Sequence, residues 1–134
     1  MIRETLTKVE NYRKRASLYF RNFEKEMREG NKEKAGEALW GVVSCLVNAI
    51  SILEKGKPLP DHKEQSVFAQ QFLISRFKEG EKLAKIYRTA EKFHANFYHA
   101  FLDKVEFENM VGDIQKLIEF LDHALKEELN KIKP

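Results

Sequence analysis

The sequence predicts an all-α fold: an antiparallel up-and-down helical bundle of four long helices plus one short helix. Three observations carry this expectation. Apolar residues recur at three- and four-residue spacing through every long segment, which stacks them on one face of a helix. β-branched residues never alternate for long, so no strand pattern competes. All three prolines, Pro58, Pro60 and Pro134, fall outside the periodic stretches, where they break no helical hydrogen bond. At 134 residues the chain is the size of one core, and a single domain over 1–134 is expected.

The first helix is predicted over about 3–29. Ile2, Leu6, Val9, Ala16, Phe20, Phe23 and Met27 form its apolar stripe, broken once at Arg13, and Gly30-Asn31 supplies a left-handed stop. The second spans about 32–55 with Leu39, Val42, Val43, Leu46, Ile50 and Leu53 inward. Its middle is apolar on nearly all sides, so it should be the most buried element. Gly56-Lys57-Pro58-Leu59-Pro60-Asp61 reads as a loop, because prolines remove donors and push their predecessors extended.

Asp61 can cap a shorter third helix reaching about Phe77, with Val67, Phe68, Phe72 and Ile74 as its apolar content. Gly80 breaks the chain before a fourth helix, Glu81 to about Leu102, whose stripe is Leu83, Ile86, Ala90, Phe93, Phe97 and Phe101. Asp103, with Glu106 three residues on, has capping-box spacing. The fifth helix follows to about Ile132 on Phe107, Met110, Ile114, Leu117, Leu121 and Leu125.

Composition narrows the function classes. With 24 Lys+Arg against 21 Asp+Glu, the net charge of +3 excludes a heavily basic nucleic-acid coat and leaves modest binding open. The single Cys45 excludes an internal disulfide and fits a reducing compartment. No basic segment followed by an apolar stretch opens the chain, so no secretory signal is read. The longest uncharged run, Ala38 to Leu53, is short of the roughly 20 residues that span a bilayer. A soluble, cytoplasmic protein without membrane contact is expected.

Several chemistries find no motif. There is no Gly-x-Ser-x-Gly, and no Gly-rich loop to cradle phosphates. Cys45, set among Trp40, Val42, Val43, Leu46 and Val47, reads as a small buried hydrophobe. A carboxylate metal bundle needs two Glu-x-x-His pairs. Only Glu91–His94 has that spacing; His62, His99 and His123 lack the partner, and the second helix has no interior carboxylate. No metal and no cofactor is expected.

The fourth helix is chemically the richest. Tyr87, Glu91, His94 and Tyr98 fall at i, i+4, i+7 and i+11 and so share a strip, with Glu91 and Tyr98 placed to orient the His94 imidazole. Lys82, Lys85, Arg88 and Lys92 run along a neighbouring face, where they can donate to phosphate oxygens. Against this stands a plainer reading: bundle helices commonly flank their cores with Tyr and His whose tips reach water, and basic faces are commonly only solvated. Arg13-Lys14-Arg15 and Arg21 of the first helix, near Glu10, Glu24 and Glu26, read as a salt-laced exposed face.

Two segments resemble a known family. AGEALWGVVSCLVNAI, residues 35–50, is similar to the second helix of the archaeal PaREP family, and AEKFHANFYHAFL, residues 90–102, to its most recognisable stretch. That family resembles a branch of the HEPN superfamily, small helical bundles that commonly dimerise and often sit in toxin–antitoxin or other RNA-targeting systems. Active superfamily members carry an Arg and then a His four to six residues later, and Arg88 and His94 have that spacing.

The resemblance implies a HEPN-like bundle that binds or cleaves RNA as a toxin-like, metal-independent endoribonuclease. His94 would move the proton of the RNA 2′-hydroxyl, and Arg88 would stabilise charge developing at phosphorus. Lys82, Lys85 and Lys92 would bind the RNA, with Tyr87, Glu91, Asn96 and Tyr98 in support. Six residues along a continuous helix separate Arg88 and His94 by about 9 Å of rise and roughly 120° of rotation. One chain therefore does not close the pair on one phosphate, and a homodimer burying the Trp40 or Phe97 neighbourhood is expected. The alternative is a non-catalytic assembly module for a cognate protein partner, nucleotidyltransferase-like or other, in which Trp40 and Asn96-Phe97-Tyr98 serve packing.

Overall fold

The computed structural model describes residues 2–93 and 103–132. It contains α1 (Ile2–Arg28), α2 (Lys32–Lys55), α3 (His62–Arg76), α4 (Gly80–Lys92) and α5 (Lys104–Ile132), with no strand among the described residues. The helical reading of the sequence holds.

α2 is the centre. It is buried from Ala35 to Ile52 at all but two positions, Glu37 and Ser44, because its apolar residues surround the helix instead of lining one stripe. α1 packs on α2, α3 on α4, and both α2 and α4 pack on α5. One hydrophobic cluster draws side chains from all five helices. By length and composition α2 could cross a membrane, its most apolar stretch having a mean hydropathy of 1.6, yet 83 % of that stretch is buried inside the fold.

The ends of the helices follow local chemistry. Gly30 and Gly56 take φ of 75° and 80°, the left-handed conformation that side-chain-bearing residues rarely adopt. Two polar residues inside the apolar run of α2 hold the next loop: Asn48 Oδ1 accepts from the Leu59 N–H at 2.8 Å, and Ser51 Oγ donates to Lys57 O at 2.8 Å. Asp61 caps α3 by accepting from the Glu64 N–H at 2.8 Å, and Asp103 caps α5 by accepting from the Glu106 N–H at 2.7 Å.

Three expectations need correction. Ile2, at the free end of α1, is 59 % exposed, and Met27 is partly open to solvent beside Lys32 of α2 and Lys104 of α5. Val67 and Ile74 are each 50 % exposed, and the buried face of α3 is instead Gln65, Phe68, Ala69, Phe72 and Leu73. α4 ends at Lys92 and not near Leu102: the Phe93 N–H turns back to Ala90 O at 3.0 Å, and the buried Phe93 ring packs 5.5 Å from Phe107 of α5. Phe97 and Phe101 of the expected stripe lie outside the described residues.

The α3–α4 turn sets the geometry that matters below. Gly80 is buried at the start of α4, where a Cβ would overlap the backbone at Leu73 O and Ile74 Cα. Only glycine lets the two helices start this close. Arg76, at the end of α3, pairs with Glu127 and Glu128 of α5, and Phe77 meets Phe120 edge-on at 5.1 Å.

Candidate functional site

α4 separates its residues cleanly by face. Leu83, Ala84, Tyr87 and Ala90 are buried, while Lys82, Lys85, Arg88 and Lys92 are exposed on the outer side with Glu81. The basic strip read from the sequence therefore faces solvent.

Where this strip meets α3, four side chains form a directed hydrogen-bonded line. Arg88 Nη1 donates to Gln70 Oε1, Gln70 Nε2 donates to Ser66 Oγ at 2.9 Å, and Ser66 Oγ donates to Glu91 Oε1 at 3.1 Å. Ser66 and Gln70 stand one turn apart on α3, and Arg88 and Glu91 one turn apart on α4. Every donor in the line points toward the Glu91 carboxylate. Burial pushes that carboxyl above its ordinary range, opposed by the Ser66 hydroxyl and by the charges of His62 and Arg88.

Beneath the line lies an aromatic group. Trp40 is 5 % exposed, 5.7 Å from the Tyr87 ring and 6.2 Å from the stacked His62 ring. Tyr87 has no solvent exposure, and burial raises its phenol well above the usual range, helped by the Glu91 charge and opposed by Gln65. The Tyr87 hydroxyl and Gln65 Nε2 are both buried without a hydrogen-bond partner among the described residues.

Residues 11–118 match the model of the archaeal PaREP1/PaREP8 family. The chain belongs to that family. Both segments that carried the resemblance, 35–50 and 90–102, lie within the match, as does the whole α3–α4 line. No curated protein and no solved structure matches the chain.

In this PaREP1/PaREP8 chain Tyr87, Arg88 and Glu91 stand on neighbouring turns of α4. Tyr87 does not reach water; it is a core residue under Trp40. Lys82, Lys85 and Lys92 are on the surface. His94, Asn96 and Tyr98 lie outside the described residues. Trp40 is already covered within its own chain by His62 and Tyr87, so no partner is needed to bury it.

Ser66 and Gln70 were not legible as site residues, although their i, i+4 spacing on α3 was there to be read. Among the described residues no group of three His, Cys, Asp or Glu side chains converges as a metal would require. Cys45 is buried, and desolvation pushes its thiol up to about 11 despite Arg15, which leaves it a poor nucleophile at neutral pH. A second feature lies across the molecule. Val42 and Leu46 floor an open groove of about 920 Å³ between α1 and α5, walled by Leu18, Phe20 and Ile118.

Proposed function

We propose that this PaREP1/PaREP8 chain is a HEPN-like antiparallel helical bundle that engages RNA along the outer face of α4 and, as a homodimer, cleaves it without metal. The observation that carries the reading is the exposed strip Lys82–Lys85–Arg88–Lys92, four cations on a helix whose opposite face is core. Such a strip can follow a phosphate backbone, since lysine and arginine donate to its oxygens and release its counterions. In this reading Arg88 stabilises charge at phosphorus and His94 moves the proton of the 2′-hydroxyl. DNA, lacking that hydroxyl, is bound but not cut.

The experiment is incubation with a structured RNA in EDTA, beside Arg88→Ala and His94→Ala. Cleavage lost in both variants supports the nuclease reading. RNA binding that weakens with Lys82→Ala and Lys85→Ala, without cleavage, leaves an RNA-binding bundle. No binding at all removes the proposal.

The α1–α5 groove favours a second reading, a non-catalytic assembly module for a protein partner. Leu18 is 54 % exposed at its edge, and Arg13, Lys14, Arg21, Glu119 and Asp122 ring it with both signs of charge. An apolar strip with a charged rim suits a partner helix. Co-purification with a neighbouring-gene product that is lost on Leu18→Glu, in protein that does not bind RNA, would establish it.

A further inference from the structure

Arg88 and Glu91 are opposite charges one turn apart on a helix, an arrangement that ordinarily closes as an ion pair. Among the described residues it does not close here. Arg88 is bonded to Gln70 and Glu91 to Ser66, both on α3. Two neutral side chains thus stand where each charge would find the other. The arrangement gives up the direct contact, although the two charges still act on each other, and leaves on the surface a guanidinium hydrogen-bonded to a neutral amide.

The geometry of the tether says what that guanidinium can take. A guanidinium has two forks for planar anions, and the side-on fork is formed by Nε and Nη2. Gln70 holds the remaining nitrogen, Nη1. The arginine is therefore anchored through Nη1, with no hydrogen bond to its Nε–Nη2 edge among the described residues, and Lys85 stands one turn before it on the same exposed strip. A phosphate group matches this edge with two parallel hydrogen bonds.

We propose that Ser66 and Gln70 of α3 are positioning residues that keep Arg88 apart from Glu91 and present its Nε–Nη2 edge as a fork for one phosphate group. As a site for an RNA phosphodiester, the proposal rests on the RNA reading above. Gln70 orders the arginine before the ligand arrives, so binding does not have to immobilise a long side chain. Ser66 holds the carboxylate that would otherwise compete with the phosphate for the same fork.

The test is a double-mutant cycle on the full chain, read by fluorescence anisotropy of a labelled single-stranded RNA at fixed salt. Gln70→Leu removes the tether, and Gln70→Glu replaces it with a competing anion. Affinity falls about three- to tenfold for Gln70→Leu, within the coupling seen between contacting residues, and further for Gln70→Glu. In an Arg88→Ala background Gln70→Leu leaves the affinity unchanged, because the tether has nothing left to hold, and Gln70→Glu costs less than in the parent, keeping only the general repulsion of its added charge. Thermal melts followed by circular dichroism check that each variant is folded.

If the RNA is bound, weakens with Lys85→Ala and is indifferent to both Gln70 variants, the positioning role is overturned and the RNA reading stands. Equal losses in both backgrounds overturn it too. If no RNA is bound, the same variants are compared by thermal shift with inorganic pyrophosphate. A stabilisation that needs Gln70 and Arg88 then keeps the phosphate fork and removes the RNA reading. No stabilisation removes both.

Discussion

The Ser66 hydroxyl donates to the Glu91 carboxylate at 3.1 Å across the seam between α3 and α4, and this bond only partly offsets the burial of that carboxylate. The Glu91 carboxyl in the folded chain therefore titrates above its ordinary value, so the native state binds more protons than the unfolded one between the two values. Stability is lost as pH rises through that window. Glu91→Gln keeps an oxygen for Ser66 and removes the charge. It should melt at a higher temperature than the parent at pH 7, with the advantage closing below about pH 4, where both chains are neutral at this position. Parallel melting curves from pH 3 to 8 measure it, and a variant less stable than the parent at pH 7 would contradict it.

Arg76 and Glu128 give the opposite sign. The guanidinium beside Glu128 holds that carboxyl below its ordinary range, and both side chains are mostly sheltered, at 22 % and 18 % exposed. The stability from this pair is present above the unfolded carboxylate value and lost as pH falls through the lower folded one. Arg76→Ala should cost about 1–2 kcal/mol at pH 7, since it also frees Glu127 and uncovers the Phe72 ring over which Arg76 lies. The difference should shrink in acid. Urea titrations at pH 7 and pH 3 separate this pair from a simple packing loss, which would not shrink.

The elements were legible in the sequence where local chemistry decides, and illegible where a neighbouring helix does. Gly30, Gly56, Asp61 and Asp103 end or cap helices through their own backbone and side chains, and each stands where the sequence placed it. Of the apolar residues read for α3, Phe68 and Phe72 are buried and Val67 and Ile74 are not, because they are spread around the helix. The docking of α4, fixed at Gly80, decides that Leu73 goes inward and Ile74 outward. The site divides the same way. The basic strip of α4 follows from 3.6-residue periodicity alone. The line through Ser66 and Gln70 does not, because their partners on α4 are 25 and 18 residues away and a polar residue in mid-helix otherwise reads as solvated.

The glycines offer a direct test of the α3–α4 crossing. Gly80→Ala forces a methyl group into the backbone at Leu73 and Ile74, which cannot swing aside, and should cost about 1–3 kcal/mol. Gly112 of α5 has open space around a Cβ, and Gly112→Ala should stabilise by about 0.5–1 kcal/mol through helix propensity. Denaturant midpoints of both variants decide it. The Gly80 variant should also weaken the Gln70–Arg88 tether, which a propensity effect would leave intact.

Tyr87 carries the sharpest prediction about the core. Its ring is packed against Trp40, but its buried hydroxyl has only the Gln65 amide nitrogen beside it, in a contact short of good hydrogen-bond geometry. A buried hydroxyl without a well-made bond recovers little of its desolvation cost. Tyr87→Phe keeps the ring and removes the cost, so it should be neutral or stabilising by up to about 1 kcal/mol. Gln65→Leu is a different case, because Gln65 Oε1 still accepts from Ser44 Oγ at 3.2 Å, and losing that bond leaves the serine unpaired. It should destabilise. Urea midpoints of the two variants measured together test the assignment: a loss of more than about 1 kcal/mol for Tyr87→Phe would mean that the phenol has a partner in the folded chain, a bound water being the smallest candidate.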